Sequence, residues 1–186
     1  MMFPVHNLAI VVPLKGFAVA KTRLRVGGVS DVDEVARSLA RQVLLASAPR
    51  PLYVACESRD VADFAQGLGA KIIESRSHGL NQALTNAYRL LGEDFKRIII
   101  AHGDLRDPRG LGDFEPLEGI TIVTDESRTG TNVLALPTGL DFEFHFGIDS
   151  APAHEREASR FGVDVHVVFD SPWRFDVDEP SDINTK

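Results

Sequence analysis

What most restricts the fold of this chain is a change of period that keeps recurring along it. Short apolar runs, each too short for a helix, alternate with stretches whose apolar residues return every three or four positions. Leu8–Pro13 is a continuous run of Leu, Ala, Ile, Val and Val closed by a proline, the pattern of a strand buried on both faces. Asp31–Ser47 has Val32, Val35, Ala36, Leu39, Ala40 and Val43 on one helical stripe, with Ser30 as its expected N-cap and Asp33 three residues on. Leu52–Cys56, Lys71–Glu74 and Arg97–Ala101 read as further strands. Arg59–Gly67 and Leu80–Leu91 read as the helices between them, the second stopped by Gly92. Strand and helix in this rhythm imply a parallel sheet covered on both sides. After residue 119 the rhythm changes. Ile120–Thr124, Asn132–Leu136 and Phe142–Phe146 are strand-like and separated by short loops, which predicts some antiparallel pairing. A helix near Pro152–Phe161 and a strand at Val163–Phe169 follow. The expected class is α/β, with a mixed, mostly parallel sheet and helices on both faces.

No internal repeat, low-complexity tract or long linker interrupts the 186 residues, so residues 1–186 are expected to form a single domain. The chain runs from Met1 into its first apolar run with no basic leader, and no apolar stretch approaches the roughly 20 residues of a membrane span. Cys56 is the only cysteine, which excludes an intramolecular disulfide framework and a multi-cysteine zinc site. A cytoplasmic location is the expectation. The net charge of −7 speaks against non-specific binding to nucleic acid. A small anion needs only a local cluster of positive charge, and Lys15, Lys21, Arg23 and Arg25 form one just after the first strand.

In an open α/β sheet, ligands gather beyond the carboxyl ends of the parallel strands. The loop after the first strand, Pro13-Leu-Lys-Gly16 onward to Lys21 and Arg23, can aim ammonium groups at a polyphosphate, though a solvated basic loop fits its spacing equally. It lacks the G-x-x-x-x-G-K-[ST] pattern, which excludes a P-loop. Gly103 and Asp104 follow the Arg97–Ala101 strand. A carboxylate there can hold Mg²⁺ against phosphate oxygens, or serve as a turn residue, with Asp107 the better cap for a helix starting at Pro108. Asp176 and Asp178, two apart, share one side of an extended segment. They can share a metal with Asp104, or one can cap a helix begun by Pro180. Gly130, Thr131 and Asn132 suit anion recognition or a plain hairpin turn. Gly147 and Ser150 precede a helix whose first N–H groups can bind phosphate, or Ser150 is its N-cap. Gly79 and Asn81 open a helix near a nucleotide or merely stabilise its start. His154 has no evident partner and is given no catalytic role.

Taken in order, these pieces resemble one family. They are Val12-Pro-Leu-Lys15, Ala20-Lys-Thr-Arg-Leu24, Gly79-Leu-Asn81, Gly103-Asp-Leu105, Gly130-Thr-Asn132, Phe146-Gly147 with Ser150 and His154, and Asp176-Val-Asp178 with Pro180 and Asp182. The series is similar to that of the 2-phospho-L-lactate guanylyltransferases of coenzyme F-420 biosynthesis, from about Val11 to Ile183. The resemblance implies a single-domain, GT-A-like nucleotidyltransferase fold. It also implies transfer of GMP from GTP to 2-phospho-L-lactate, phosphoenolpyruvate or 3-phosphoglycerate, with pyrophosphate released. It implies catalytic Lys15, Lys21 and Asp104, and Mg²⁺ on Asp104, Asp176 and Asp178. The nucleotide would lie against Pro13, Leu14, Lys15, Lys21, Arg23, Gly79, Asn81 and Gly103, and the acid near Thr131, Asn132, Gly147 and Ser150. The expected partners are these two small molecules, with no nucleic acid and no membrane; a homodimer is compatible with the sequence.

The chain departs from the family pattern at Arg106-Asp-Pro108, where proline and small apolar residues are usual. Ile148-Asp149 stands where Pro-Gly is common, and Glu179 replaces a threonine. Two other readings stay open on the sequence: another GT-A-like nucleotidyltransferase of the molybdenum-cofactor or sugar-phosphate type, and a non-catalytic nucleotide-binding module.

Overall fold

A computed structural model of the chain describes residues 7–75 and 79–183; the expectation of no leader at Met1 falls outside them. The apolar runs become β1 (Leu8–Pro13), β2 (Leu52–Cys56), β3 (Lys71–Glu74), β4 (Arg97–Ala101), β5 (Ile120–Thr124), β6 (Thr131–Pro137) and β7 (Val165–Val168). The helices are α1 (Thr22–Val26), α2 (Val32–Ala46), α3 (Arg59–Gln66), α4 (Leu80–Leu91), α5 (Ser150–Ala158) and α6 (Pro180–Ile183). All seven strands join one sheet in the order β3-β2-β1-β4-β6-β5-β7. β1 to β4 are mutually parallel. β6 is antiparallel to both β4 and β5, and β7 is parallel to β5, so β6 alone runs against the rest.

Side chains alternate across the pleat, and this divides the core in two. Ile10, Val12, Val54, Ile99 and Ala101 face α2 and α3 on one side. Ala9, Val11, Tyr53, Ile98 and Ile100 face α4 and the Phe142–Phe146 segment on the other. Both faces of the central strands are dry, which is why β1, β4 and β5 are apolar almost throughout. Among the described residues no helix is long and apolar enough to cross a membrane.

Several local expectations are corrected. The N-cap of α2 is Asp31, in the left-handed region at φ 52°, with no side-chain cap, rather than Ser30. No helix starts at Pro108; Asp107 instead accepts from the backbone and guanidinium of Arg109. The N-cap of α5 is Asp149, not Ser150. The start of α6 is tied by Asp182, whose carboxylate accepts from the N–H groups of Asp178 (3.0 Å) and Glu179 (2.7 Å), so neither Asp176 nor Asp178 makes those bonds.

Phe142–Phe146 is the most instructive difference. Phe142, Phe144 and Phe146 are buried and the residues between them are not, as in a strand, yet the segment belongs to no strand. Its backbone N–H groups are taken by side chains from the helices that pack on it. Glu157 accepts from Glu143 (3.1 Å), His154 from His145 (2.9 Å) and Asn81 from Phe146 (2.7 Å). The backbone is satisfied without a ladder.

Candidate active site

The carboxyl ends of β1 to β4 open onto a cavity of about 600 Å³. Its floor includes Pro13, Leu14 and Lys15 after β1, and Gly103 and Asp104 after β4. These two loops touch so closely that a Cβ on Gly103 would stand 2.3 Å from Leu14 Cδ2. Only glycine fits there without displacing Leu14.

The basic loop is folded by its own arginine. Arg25 donates to the carbonyls of Phe17 (2.7 Å) and Ala20 (3.0 Å) and pairs with Asp33 (2.5 Å). Arg25 is thus a staple. Lys21 stands at the N-cap of α1 in the left-handed region, φ 55°. Its ammonium points inward, donating to Asp104 and, at 2.7 Å, to Asp178. Arg23 is exposed and lies 3.7 Å from Asp178 and 3.6 Å from Glu179. Lys15 is exposed on the cavity wall.

Asp104 and the late Asp-x-Asp are brought together by a short antiparallel pairing. Leu105 bridges to Asp176, Arg106 N–H donates to Phe175 (2.8 Å) and Val177 N–H to Asp104 (3.1 Å). Val177 turns into the core, leaving Asp176 and Asp178 on the other side of the segment. One oxygen from each of Asp104, Asp176 and Asp178 lies within 4.8 Å of the others.

The electrostatics of this group are tightly coupled. Burial opposes the charge on Lys21, but Asp104 and Asp178 outweigh it and hold its pKa above the ordinary value. Burial likewise works against Asp104, and the Lys21 ammonium reverses that, keeping the carboxyl below the usual range. Asp176 has no such partner. Burial, then Asp104 and Asp178, push it up to about 7. Asp104 Oδ1 is buried and has no hydrogen-bond partner among the described residues. Three carboxylates with an unsatisfied oxygen make a hard, all-oxygen donor set of the kind that suits Mg²⁺. The mutual repulsion that raises Asp176 is what a divalent cation held by the three carboxylates would relieve.

His102, which the sequence left without a role, also lines the cavity. Its Nε2 is buried and unpartnered among the described residues, its ring lies 5.3 Å from that of Phe146, and burial lowers its pKa. Its place directly before Gly103 and Asp104 was the available signal.

The residues expected around the acid sit on the far side of β4. Thr131 and Ser150 are buried, and Thr131 N–H donates to Ser150 Oγ at 2.9 Å. His154, also fully buried, has Nδ1 3.0 Å from Thr131 Oγ1. Because its Nε2 accepts from His145 N–H, the proton sits on Nδ1 and is donated to Thr131. His154 therefore has two partners, and burial lowers its pKa to about 3. Asn132 is committed to the carbonyl of Trp173 (3.0 Å). Gly147, at φ 138°, is exposed at the head of the loop before α5. Of the first N–H groups of α5, that of Ala151 is taken by the Thr129 carbonyl and Pro152 has none. The turn before Thr131 is organised by Asp125, which accepts from Thr129 N–H (2.8 Å) and Ser127 Oγ (2.8 Å), as a polar hairpin would be. Asn81 donates to and accepts from the backbone of Phe146 and does not line the cavity; its neighbour Gly79 does.

A basic loop thus meets a carboxylate cluster through Lys21 at the wall of the cavity, at the switch between strands β1 and β4. Comparison with known proteins gives the family. The model of the family described as "Guanylyl transferase CofC like" matches residues 8–185. A phosphoenolpyruvate guanylyltransferase of Chloroflexus aggregans is 27% identical over 187 residues, covering 92% of this chain and 93% of that protein. A 3-phospho-D-glycerate guanylyltransferase of Colwellia psychrerythraea is 27% identical over 194 residues, covering 94% and 88%. Among solved structures, a Desulfovibrio desulfuricans protein described as a nucleotide-diphospho-sugar transferase superposes with a TM-score of 0.74 at 16% identity, over 96% of this chain and 85% of the other. This likeness places the sheet in the nucleotidyltransferase fold. The chain is an enzyme of the nucleotidyltransferase class and belongs to the CofC-like guanylyl transferase family.

Proposed function

We propose that the enzyme transfers GMP from GTP to the phosphate of a small phosphorylated three-carbon acid and releases pyrophosphate, in the cytoplasm and as a step toward coenzyme F-420. The observation that carries this reading is Lys21, held between Asp104 and Asp178 at the wall of the cavity. It joins the basic loop to the carboxylate cluster at one point, where the α-phosphate would lie. A divalent cation held by Asp104, Asp176 and Asp178 would supply neutralisation of the triphosphate.

The acid's phosphate oxygen attacks the α-phosphorus of GTP. One P–O bond forms there as the bond to the bridging α–β oxygen breaks, and the electron pair leaves with pyrophosphate. The attacking phosphate is already ionised at neutral pH, so the chain needs no general base. Its work is positioning and neutralising charge. Lys15 and Lys21 face the charge that grows on the departing pyrophosphate. The Gly147 loop, with Thr131 and Ser150 behind it, would hold the acid. Relatives named for phosphoenolpyruvate and for 3-phospho-D-glycerate bring both acids into consideration, beside 2-phospho-L-lactate.

The test is direct. The protein is incubated with GTP, Mg²⁺ and each of the three acids, and pyrophosphate is measured. Release with one acid, and with GTP over CTP and UTP, is expected. No release with any acid while GTP still binds would reject the acceptor assignment; a preference for CTP or UTP would reject guanylyl transfer.

A further inference from the structure

Phosphate contacts do not tell one nucleotide from another, so a base-selective enzyme needs a partner for the base edge. One carboxylate in the cavity is available for this. Asp104 and Asp178 are both engaged by Lys21. Glu57, the residue immediately after β2, also lines the cavity, is exposed, and has no hydrogen-bond or ion-pair partner among the described residues.

Its place in the sheet fits the base rather than the phosphates. From β4, which ends at Asp104, the sheet order passes through β1 to β2. At about 4.8 Å per strand, Glu57 begins about 10 Å from the carboxylate cluster. A triphosphate lying beside Lys15 and Lys21, over β1 and β4, sends its nucleoside toward β2 and β3. Leu80 and Ala83, on the helix that follows β3, add apolar wall suited to a flat ring.

We propose that Glu57 selects guanine, its carboxylate accepting hydrogen bonds from N1–H and the 2-amino group of the base. The proposal rests on reading the cavity as the GTP site. An ionised carboxylate has acceptors only, and guanine presents two donors side by side, so both oxygens are used, as in a bidentate pair. Adenine turns the N1 lone pair to the same position and has no 2-amino group. Cytosine offers one amino donor next to the N3 lone pair. Glu57 thus attracts guanine and also repels its competitors, and both effects set specificity. The residue lies on a strand end beside a short helix, α3, so its backbone is fixed by the sheet.

Calorimetric titration of the purified protein with GTP, ITP and ATP in the presence of Mg²⁺ tests this without any acceptor. ITP lacks the 2-amino group and keeps N1–H. The wild type should bind GTP best, ITP less well and ATP least. Glu57→Ala should weaken GTP by about tenfold or more, bring GTP and ITP together, and leave ATP unchanged or tighter. Glu57→Gln should fall between the two. Affinity ratios are compared within one preparation, so a loss of folded protein cancels. Equal loss for GTP and ATP, or an unchanged GTP:ITP:ATP order in the variants, would overturn the role of Glu57 and leave guanylyl transfer intact. A wild-type preference for CTP or UTP would overturn both. Guanine selectivity that depends on Glu57, without pyrophosphate release from any acid, would support Glu57 and reject the acceptor assignment.

Discussion

Lys21 shows how much of this site hangs on one residue's position. Its side chain is 8% exposed, and its ammonium is the only side-chain hydrogen-bond partner of the Asp104 carboxylate among the described residues. Replacing it with methionine keeps the bulk and leaves Asp104 half-buried beside Asp176 and Asp178 without its counter-charge. The loss of a charge-assisted bond to a partly exposed carboxylate is milder than that of a fully buried pair, so Lys21→Met should lose about 2 kcal/mol in urea unfolding. The same carboxylates are then free for a cation. Mg²⁺ should therefore raise the stability of Lys21→Met more than that of the wild type, through binding to the folded state alone. If Mg²⁺ shifts neither, the three aspartates are not its site. Asp104→Asn, in turn, should lower turnover by about 10²–10³-fold while the protein stays folded. His154 makes a separate prediction about stability. Its pKa is 6.5 ordinarily and about 3 in the fold, through burial and then the nearby His145 and His102, with Glu157 opposing. Above pH 6.5 it is neutral in both states and costs nothing. Between 6.5 and about 3 the unfolded chain takes a proton that the folded one refuses, so stability falls as pH falls. The limiting slope is about 1.4 kcal/mol per pH unit. His154→Gln should remove that part of the slope, read as the difference between the two proteins' unfolding curves from pH 7 to pH 4.

At the level of elements, Phe142–Phe146 and α4 form a unit through Asn81, whose amide donates to the Phe146 carbonyl (3.1 Å) and accepts from its N–H (2.7 Å). Asn81→Ala leaves that N–H without its partner. A cost of about 2 kcal/mol is expected, with faster hydrogen exchange at the Phe146 amide and GTP affinity unchanged. A large loss of GTP affinity at unchanged stability would instead place Asn81 against the nucleotide. The same segment shows what the sequence carries and what it does not. The alternation of Phe142, Phe144 and Phe146 reports burial every second residue, and that is correct. It says nothing of where the N–H groups go, and here Glu157, His154 and Asn81 take them from up to 65 positions away. The four parallel strands were legible because each is a short run centred on consecutive apolar residues and followed by a segment of helical period. The start of α2 was not, because Ser30 and Asp31 are both good caps and the choice lay in a left-handed backbone at Asp31. At the site, the residue types and the loops that hold them could be read from strand ends. The pairing of Lys21 with Asp104, 83 positions apart, and with Asp178, 157 apart, could not, since nothing in either loop specifies the other.

Across the whole molecule, the reversal of a single strand brings elements from both halves of the chain to one edge of the sheet. β1 to β4 end at the ligand edge because they are parallel. β6 runs the other way, so its beginning, Thr131, comes to that same edge: Ala101 at the end of β4 pairs with Val133, and His102 N–H donates to the Asn132 carbonyl at 3.0 Å. The hairpin from β5 arrives there as well, and the bond from Thr131 N–H to Ser150 Oγ ties the start of α5 to it, on the β6 side of β4. On the proposed function, two half-sites would share the carboxylate cluster, one over β3-β2-β1 for the nucleotide and one over β6-β5 for the acid. The halves should be separable by mutation. Ser150→Ala removes the hydroxyl that accepts Thr131 N–H, and with it the group that fixes the second half. An unsatisfied buried N–H costs about 1–3 kcal/mol, enough to raise the acceptor KM about tenfold where that half must be preorganised, since 1.4 kcal/mol is a factor of ten. The GTP affinity, set on the other side of β4, should not change. If the acceptor KM rises and the GTP affinity falls with it, the two half-sites are one cooperative unit and the division along β4 is wrong.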